Sequence, residues 1–392
     1  MFSLGNIKNP GFLSKKSRAF SLPPLSGKLL ISSIYQDRRL TIRGEYPRRV
    51  EIGDILMGDD KCQKSSPANG IAHYHPESDS VSILQDGSFL ARENPSSKVY
   101  ELKEMQAQLY NSGLISFEFP TVPIQDIFSI LKEKKEFRII LSPFSGENFI
   151  DFRKLILEEY GQYLSLFKEN LLLIAPQARF EDYISGKELR FQYPASSPRY
   201  FLYRYTDSTL LDEKTVLENT LFLGAETLYH VLRSLYLNIP FVERHVSFFI
   251  QESSGQIQSI NQKCSLKNGW NLKEFLHQFK ENFSYFTLNS FYHPTEIFKV
   301  GEEFRFDIYS HNSFIICQDI QEKNFEKVCI DCDDCTLLCP VHANPRGIFD
   351  KQASSFQHTT CIECGICSFI CPAHIDFSER ISKIKKEKPG VG

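Results

Sequence analysis

Short apolar runs that alternate with polar residues dominate the chain between residues 28 and 92. Alternation with a period of two is typical of half-buried β-strands, and glycine-containing pairs that favour tight turns, such as Gly53-Asp54 and Asn69-Gly70, separate the runs here. The pattern predicts strands at Leu29–Ile34, Leu40–Arg43, Val50–Met57, Ile71–Tyr74 and Val81–Gln85. We therefore expect a β domain over residues 21–100.

Two segments of this region form a pair, V-E-I-G-D-I-L (Val50–Leu56) and S-P-A-N-G-I-A (Ser66–Ala72). They resemble the two quasi-symmetric halves of a barrel-sandwich domain of the biotinyl/lipoyl type. Carrier domains of that type display a modifiable lysine on the hairpin between the halves. Lys61 and Lys64 lie between the halves here, but the flanking residues of either carrier motif are missing. We therefore expect solvated hairpin lysines, with Cys62 an incidental thiol.

Residues 101–237 change from a strand period to a helical one. Phe137–Leu141 is a short apolar run typical of a strand, and apolar side chains then repeat at helical spacing over residues 152–167. Leu171–Ala175 is a second apolar run, which we predict to be a strand, and Ala225–Leu237 is a later helix. Strand, helix and strand in this order make a βαβ unit, so we expect a parallel, Rossmann-like α/β layer.

Residues 238–320 predict a smaller strand–helix–strand module. A strand is expected over Phe241–Ile250, followed by a helix for which Asn271 provides the N-cap. Further strands are predicted at Phe304–Tyr309 and Phe314–Cys317. This order of elements suggests a β-grasp-like module.

The composition narrows the class of protein. In 392 residues, 45 Lys and Arg stand against 48 Asp and Glu, so net charge gives no sign of a nucleic-acid partner. The 33 phenylalanines fit well-filled cores. Met1–Lys16 lacks the apolar segment of a secretory signal, and no run of eighteen apolar residues predicts a membrane span. Together with the many thiols, this favours a reducing, cytoplasmic compartment.

Eight of the eleven cysteines fall in the fourth predicted domain, residues 325–392, in two runs of equal spacing. Each run reads C-x2-C-x2-C-x3-C-P, the spacing with which bacterial ferredoxins hold [4Fe–4S] clusters. In two-cluster proteins the fourth cysteine of a run ligates the other cluster. The predicted ligands are Cys329, Cys332, Cys335 and Cys371 for the first cluster, and Cys361, Cys364, Cys367 and Cys339 for the second.

Zinc and disulfides are the alternatives for these cysteines. Structural zinc sites usually have two C-x2-C pairs a dozen or more residues apart, and disulfides need an oxidising compartment, so neither explains the repeated spacing. Cys62, Cys264 and Cys317 have no spacing partner, so we expect ordinary thiols there.

The two runs also predict an electrostatic difference. Gly365 lies inside the second loop, and Asp334 is expected at the corresponding place in the first. Asp331, Asp333 and Asp334 put negative charge beside the first cluster, which disfavours its reduction. We therefore expect the first cluster to have the lower potential.

From about Ser21 to Lys388 the chain resembles the RnfC component of the Rnf ion-translocating electron-transport complex, a family that shares modules with the flavoprotein component of respiratory complex I. The two cysteine motifs carry the resemblance, above all C-I-E-C-G-I-C-S-F-I-C-P (Cys361–Pro372). G-D-I-L with S-P-A-N-G, F-P-T (Phe119–Thr121) and I-P-F-V-E-R-H-V (Ile239–Val246) add to it. The resemblance implies a barrel sandwich, a Rossmann-like FMN and NADH domain, a β-grasp module and a two-cluster ferredoxin domain.

The chain departs from this family in the flavin loop before F-P-T, which is rich in glycine in the family. Gly113 is kept here, but Ile115, Ser116 and Glu118 stand where glycines are expected. Only glycine lets backbone N–H groups close on a phosphate, and Glu118 adds negative charge where that phosphate would lie. We therefore expect the α/β domain to be a scaffold without FMN.

These observations predict an electron-transfer protein with two [4Fe–4S] clusters. The alternatives are an FMN-dependent NADH dehydrogenase subunit and a structural zinc protein. The expected partners are other subunits of a redox complex or soluble electron carriers, without nucleic acid. The resemblance implies a peripheral position on the cytoplasmic face of the inner membrane. The acidic Asp331–Asp334 patch and the basic Arg380–Lys388 tail are expected to guide docking near the cysteine motifs.

Overall fold

The computed structural model describes the parts of the chain given by the following ranges. They are residues 13–14, 28–36, 38–86, 93–120, 122–133, 135–145, 150–187, 197–205, 216–251, 257–277, 279, 283–289, 297–317, 327–348, 356–357 and 360–387.

Short antiparallel strands build the N-terminal part. They are β1 (Leu13–Ser14), β2 (Lys28–Ser32), β3 (Ile34–Tyr35), β4 (Arg38–Arg39), β5 (Thr41–Ile42), β6 (Arg48–Val50), β7 (Ile55–Gly58), β8 (Gln63–Ser65), β9 (Gly70–His75) and β10 (Ser80–Gln85). Strands β2, β10, β9 and β6 form one sheet, β5, β7 and β8 a second, and β3 pairs with β4. Residues 28–86 therefore fold as a β structure, as the alternating pattern predicts.

The predicted strand Val50–Met57 is wrong in one respect, because it is two strands. Its N-terminal part ends at Val50, and Gly53 then turns the chain with a φ of 96° before β7 begins. The Asp54 carboxylate accepts a hydrogen bond from the Glu51 N–H at 2.8 Å and closes this turn. The Gly53 N–H donates to Ser66 O at 2.9 Å, so the segments Val50–Leu56 and Ser66–Ala72 contact each other at this point.

The expectation of a solvated lysine between these segments is wrong for Lys64 and right for Lys61, which is exposed. Lys64 is only 1% exposed. Its ammonium donates to the carbonyls of Ser32 at 3.0 Å and Ile34 at 2.8 Å, and it lies 5.1 Å from the ring of Tyr309. A buried ammonium needs such acceptors, and the β2–β3 junction provides them.

Helices enclose a small parallel sheet in the α/β part. The elements are α1 (Leu102–Asn111), α2 (Ile124–Ile127), the 3-10 helix Phe128–Lys132, β11 (Arg138–Leu141), α3 (Phe152–Glu159), α4 (Gly161–Ile174), β12 (Arg179–Asp182), α5 (Pro198–Tyr205), β13 (Thr220–Leu223) and α6 (Ala225–Leu237). Strand β11 lies in the centre and pairs in parallel with β12 and β13. The predicted parallel βαβ order is present.

The predicted strand Leu171–Ala175 is wrong, because these residues end helix α4. The Ala175 N–H still bonds to Leu171 O at 2.9 Å, as in a helix. Leu172 and Leu173 are 43% and 69% exposed, so the apolar run mixes one buried helix face with outward-facing leucines. The parallel strand follows later, at Arg179–Asp182. The structure confirms the predicted helix Ala225–Leu237 with the same bounds, and Asn238 ends it with a φ of 55°.

A six-stranded mixed sheet follows. Its further strands are β14 (Glu243–Gln251), β15 (Ile257–Lys267), β16 (Tyr285–Leu288), β17 (Ile297–Lys299) and β18 (Ser313–Cys317), with helix α7 (Lys273–His277). The order is β1-β15-β14-β18-β16-β17, and the central pair β14 and β18 is parallel. The predicted strand Phe304–Tyr309 is wrong. Its alternate residues are buried, but its backbone pairs with the loop 269–272 rather than with a strand.

In the described part of the chain, buried apolar side chains form two separate cores. The larger core runs from Leu29 to Ile316 and joins the β, α/β and mixed-sheet parts. The smaller core belongs to the C-terminal part, with α8 (Asp334–Leu337), the 3-10 helix Pro345–Ile348, α9 (Ile366–Phe369) and α10 (Phe377–Glu387). The chain is thus a mixed α/β protein with several sheets, and the predicted domain limits 21–100, 101–237, 238–320 and 325–392 stay predictions.

Candidate metal centres

The two cysteine motifs fold into loops with the same backbone geometry. Asp331 and Asp333 of the first loop have φ angles of 56° and 63°, and Glu363 and Gly365 of the second have 55° and 73°. Asp333, directly after the second cysteine of its motif, therefore occupies the place of Gly365. The prediction that Asp334 does so is wrong, because Asp334 begins helix α8. Aspartate is one of the few side chains that tolerate this left-handed backbone region.

The first cavity gathers cysteines from both motifs. Cys329, Cys332 and Cys335 of the first motif line it together with Cys371, the last cysteine of the second motif. The cavity is small, about 20 Å³, and Cys332 at its edge is exposed. These four are the residues that the sequence assigns to the first cluster.

The second cavity shows the reciprocal arrangement. Cys361, Cys364 and Cys367 line it together with Cys339 from the first motif, around a volume of about 130 Å³. Cys339 accepts a hydrogen bond at its sulfur from the Ala343 N–H at 3.2 Å. Cys339, Cys361 and Cys367 are buried, so this site is more enclosed than the first.

The donor set fits two [4Fe–4S] clusters. Four sulfurs line each cavity, and a cubane takes one thiolate at each iron, so its ligands stand around a volume rather than around a point. Within the described residues, no group of His, Cys, Asp or Glu side chains is arranged to hold a single metal ion. None of the eleven cysteines, all of which lie in described residues, forms a disulfide.

Burial affects the thiols at both sites. It raises the pKa of Cys335, Cys361 and Cys367 above the ordinary value for cysteine. A metal reverses this preference, because a coordinated thiol is deprotonated. Bound clusters would supply the free energy that converts these buried thiols to thiolates, which would couple metal binding to the folding of this part.

Fixed charges differ between the two sites. At the first site Arg346 pairs with Asp331 at 3.2 Å and lies 3.9 Å from Asp333. At the second site Glu363 pairs with Lys385 at 2.7 Å and with Arg199 at 3.3 Å. Among the described residues that line the cavities or form these ion pairs, three carboxylates, with that of Asp334 included, stand against one cation at the first site. At the second site one carboxylate stands against two cations.

Lys385 belongs to the basic tail Arg380–Lys388, most of which lies on helix α10. The Lys385 ammonium donates to Cys361 O at 2.7 Å as well as to Glu363. It is therefore part of the second site. Arg380 and Lys383 precede it on the same helix, whereas Lys388 lies outside the described residues.

Sequence reasoning missed Arg199 and Arg346. Arg199 lies in α5, far from the motifs along the chain, and no spacing signal links it to Glu363. Arg346 follows the first motif closely, and its place near the acidic loop is a signal that could have been used. The ion pair of Arg199 is therefore visible only in the tertiary structure, whereas that of Arg346 has a partial signal in the local sequence.

The segment predicted as a flavin loop is filled by its own side chains. Gly113 has a φ of 72° and follows the end of helix α1, where its N–H bonds to Tyr110 O at 3.0 Å. A side chain there would also approach Gln63 O closely, so the helix end and this contact account for the glycine. Ile115 and Ser116 are 5% and 0% exposed.

Glu118 is the unusual residue of this segment. It is 4% exposed, and its carboxylate accepts hydrogen bonds from Ser116 at 3.1 Å and Thr227 at 2.6 Å. Its Oε1 atom lies against Gly224, which caps helix α6, and any side chain at Gly224 would overlap with it. Burial raises the pKa of Glu118 to about 7. The carboxylate thus occupies the N-terminal end of a helix, where an anion is favoured.

The three cysteines outside the motifs are buried. Cys62, Cys264 and Cys317 are 3%, 2% and 6% exposed. Burial raises the pKa of Cys62 and Cys264 to about 12, so at neutral pH both are thiols rather than reactive thiolates.

Comparison with known proteins agrees with this site. A family model described as a 4Fe-4S dicluster domain matches residues 322–387, a range that includes both motifs and helix α10. A search of curated proteins gives no match to the chain. The C-terminal part is therefore a 4Fe–4S dicluster domain of the ferredoxin type, and this class supports an iron–sulfur electron-transfer role. No helix among the described residues has both the length and the apolar character needed to cross a membrane.

Proposed function

We propose that the protein carries single electrons through two [4Fe–4S] clusters bound by the exchanged cysteine sets. The observation that carries this proposal is the pair of cavities, each lined by three cysteines of one motif and the fourth of the other. The clusters, when bound, supply the one-electron redox chemistry. The chain orients the thiolates, excludes water from the second site and sets the charge around each.

We propose that the first site has the lower potential. Reduction adds negative charge, which the carboxylates of Asp331, Asp333 and Asp334 oppose. Arg346 offsets only part of this charge, whereas Lys385 and Arg199 favour reduction of the second site.

We infer that the remaining domains are a scaffold for docking in a larger redox complex, as the resemblance to the RnfC family implies. The β, α/β and mixed-sheet parts share one core, which suits a rigid support. The sheet orders support the barrel-sandwich, Rossmann-like and β-grasp-like interpretations of these parts. By this proposal the protein works peripherally on the cytoplasmic face of the membrane, bound to other redox proteins.

The flavin-dependent alternative is disfavoured by Glu118. Its buried side chain lies against Gly224 at the N-terminal end of helix α6 and bonds to Thr227, so it occupies the position that a phosphate would take among the described residues. A phosphate there would overlap with this side chain and, once Glu118 is ionised, meet its negative charge. We propose that the α/β part holds no FMN, so flavin released by acid treatment of the purified protein should be far below one per chain.

The electron-transfer proposal is tested by reductive titration of the anaerobically purified protein. We expect uptake of about two electrons per chain, one for each cubane, in two steps of different potential, with bleaching of the visible absorbance. A protein that takes up no electrons in the potential range of [4Fe–4S] clusters would contradict the proposal.

A further inference from the structure

The internal repeat of the dicluster domain gives each residue of the first loop a counterpart in the second, and their exposure differs sharply. Val328 is 87% exposed, whereas its counterpart Thr360 is 7% exposed. Ile330 is 64% exposed, whereas Ile362 is 6% exposed. Because the backbones match, the difference arises from what covers the second loop.

The rest of the chain provides that cover. Arg199 of helix α5 pairs with Glu363, and Tyr200 packs against the core of the dicluster domain. From helix α10, Lys385 bonds to Cys361 O and Glu363, and Ile381 lines the cavity. The second loop is thus covered by basic side chains placed beside an aromatic and an aliphatic one.

The equivalent surface of the first loop is open. It comprises two exposed apolar residues, two exposed carboxylates and an exposed cysteine, and we call it the first-site face. Its residues are Val328, Ile330, Asp331, Cys332 and Asp334. The Asp331 side chain is 69% exposed although it contacts Arg346. Leu337 and its counterpart Phe369 are exposed at both sites, 69% and 56%, so they do not distinguish the two.

We propose that the first-site face is the docking surface for an electron-carrier protein whose own surface is basic around an apolar centre. This inference rests on the proposed electron-transfer function and adds which site faces the partner and what chemistry the partner presents. Opposite charges favour such a partner, and apolar contact covers Val328 and Ile330. A second copy of this chain would oppose carboxylates to carboxylates.

The exchange with the partner is the transfer of one electron. One electron leaves the reduced first site and enters the one-electron cofactor of the partner, and no bond forms or breaks. An exposed ligand such as Cys332 shortens the path to a cofactor in a docked protein. The more enclosed second site then exchanges electrons through the first.

The test uses a basic cytochrome c as the probe. Binding is measured by calorimetry between the oxidised, cluster-loaded protein and ferrous cytochrome c, a pair that cannot exchange electrons. Separately, the protein is reduced with dithionite, freed of excess reductant and mixed with ferric cytochrome c in a stopped-flow instrument. Both are measured at ionic strengths of about 20 mM and about 200 mM, because screening separates charge-guided contacts from others.

The informative variant is V328Q/D331K, which changes neither a cysteine ligand nor a residue that lines the first cavity. Its matched control is L173Q/E379K, with the same change of charge and loss of an apolar side chain at exposed positions in α4 and α10. Iron and sulfide content of all three proteins is measured first. Equal content shows that the clusters are intact, so a change in docking is not confused with failure of the proposed function.

For the wild type and the control, we expect binding and reaction rates that fall at least about tenfold between the two ionic strengths. For V328Q/D331K we expect weaker binding by about tenfold or more at low ionic strength. The calorimetric binding decides the comparison for this variant, because Asp331 also affects the potential of the first site and therefore the reaction rate. Equal behaviour of all three proteins, or an equal loss in the control, would overturn the proposal. So would a wild-type dimer in sedimentation that V328Q/D331K makes monomeric, since the face would then bind a second copy.

Discussion

The buried carboxyl group of Glu118 makes the stability of the α/β part depend on pH. Burial raises its pKa from 4.5 to about 7, and the hydrogen bonds from Ser116 and Thr227 offset only part of this rise. Between these two pH values the folded protein binds a proton that the unfolded chain does not. The free energy of unfolding therefore falls as the pH rises from about 4.5 to 7 and is level above 7, as far as this group is concerned.

We expect E118Q to remove this slope. Glutamine keeps the size and can bond to the hydroxyls of Ser116 and Thr227, but it carries no charge to desolvate. At pH 8 the variant should be more stable than the wild type, by at most about 3 kcal/mol, and the two should converge near pH 4.5. Thermal unfolding of both proteins across this pH range is the measurement, and D126N, at an exposed helix position, is the control. A parallel pH profile for E118Q and the wild type would contradict the assignment.

The cysteine assignment also belongs to the scale of residues. C364S should lose iron and sulfide from the second site and destabilise the dicluster domain, because metal binding there is also folding free energy. C62S and C264S should keep the iron content of the wild type, since both residues lie in the other core. Iron retained in full by C364S would show that the second set is wrongly chosen.

The cysteine spacing predicts the site from sequence because a cluster fixes short local distances. The prediction of Asp334 as the counterpart of Gly365 is wrong by one position, although counting from the preceding cysteine gives Asp333. Glu118 is expected from sequence to bring negative charge into a phosphate site. Its bond to Thr227, more than a hundred residues later, has no local signal that predicts it.

Among the elements, helix α10 brings a cation, Lys385, to the second site. Lys385 donates to Cys361 O and pairs with Glu363 at the second site, whereas Lys383 on the same helix is exposed. We expect K385M to lower the potential of the second cluster, on the order of tens of millivolts, because a nearby positive charge favours the reduced state. K383M should change it much less. The measurement is a potentiometric titration of both variants. Equal shifts of the second potential would show that the contacts of Lys385 do not set it.

The sequence predicts a helix or strand correctly where its bounds are marked or its buried residues repeat with one period. It fails where exposed apolar residues or pairing with a loop disturb that pattern. Helix Ala225–Leu237 is buried on all sides, yet a glycine precedes it and Asn238 follows it, so its bounds are predictable. The run Leu171–Ala175 imitates a strand because exposed Leu172 and Leu173 extend the apolar pattern of a helix end. Residues 304–309 alternate like a strand but pair with a loop, which only the tertiary structure determines.

In the whole molecule, ion pairs join the α/β part to the mixed sheet, and the most deeply buried of those described is formed by Arg244 and Glu226. Arg244 of β14 forms two hydrogen bonds with Glu226 of α6, at 2.7 and 3.1 Å, and both side chains are almost fully buried. The guanidinium also donates to Ile308 O and His311 O and lies 4.1 Å from the ring of Phe117. The arginine of the I-P-F-V-E-R-H-V segment, Arg244, thus has a structural role in the packing between these parts.

We expect R244A to lower the free energy of unfolding by about 3 to 5 kcal/mol, since it leaves the Glu226 carboxylate buried without its cation. The double variant E226L/R244M should lose less, because it removes both charges and keeps the volume. Denaturant unfolding followed by circular dichroism compares them. A double variant that is less stable than R244A would contradict this role of the pair.

The whole molecule, by our proposal, supports two [4Fe–4S] clusters in the cavities lined by exchanged cysteines. The most direct test is the content of iron, labile sulfide and zinc in the full chain purified without oxygen. We expect about eight iron and about eight sulfide per chain with little zinc, two cubanes' worth. Stoichiometric zinc with no sulfide would contradict the presence of the clusters.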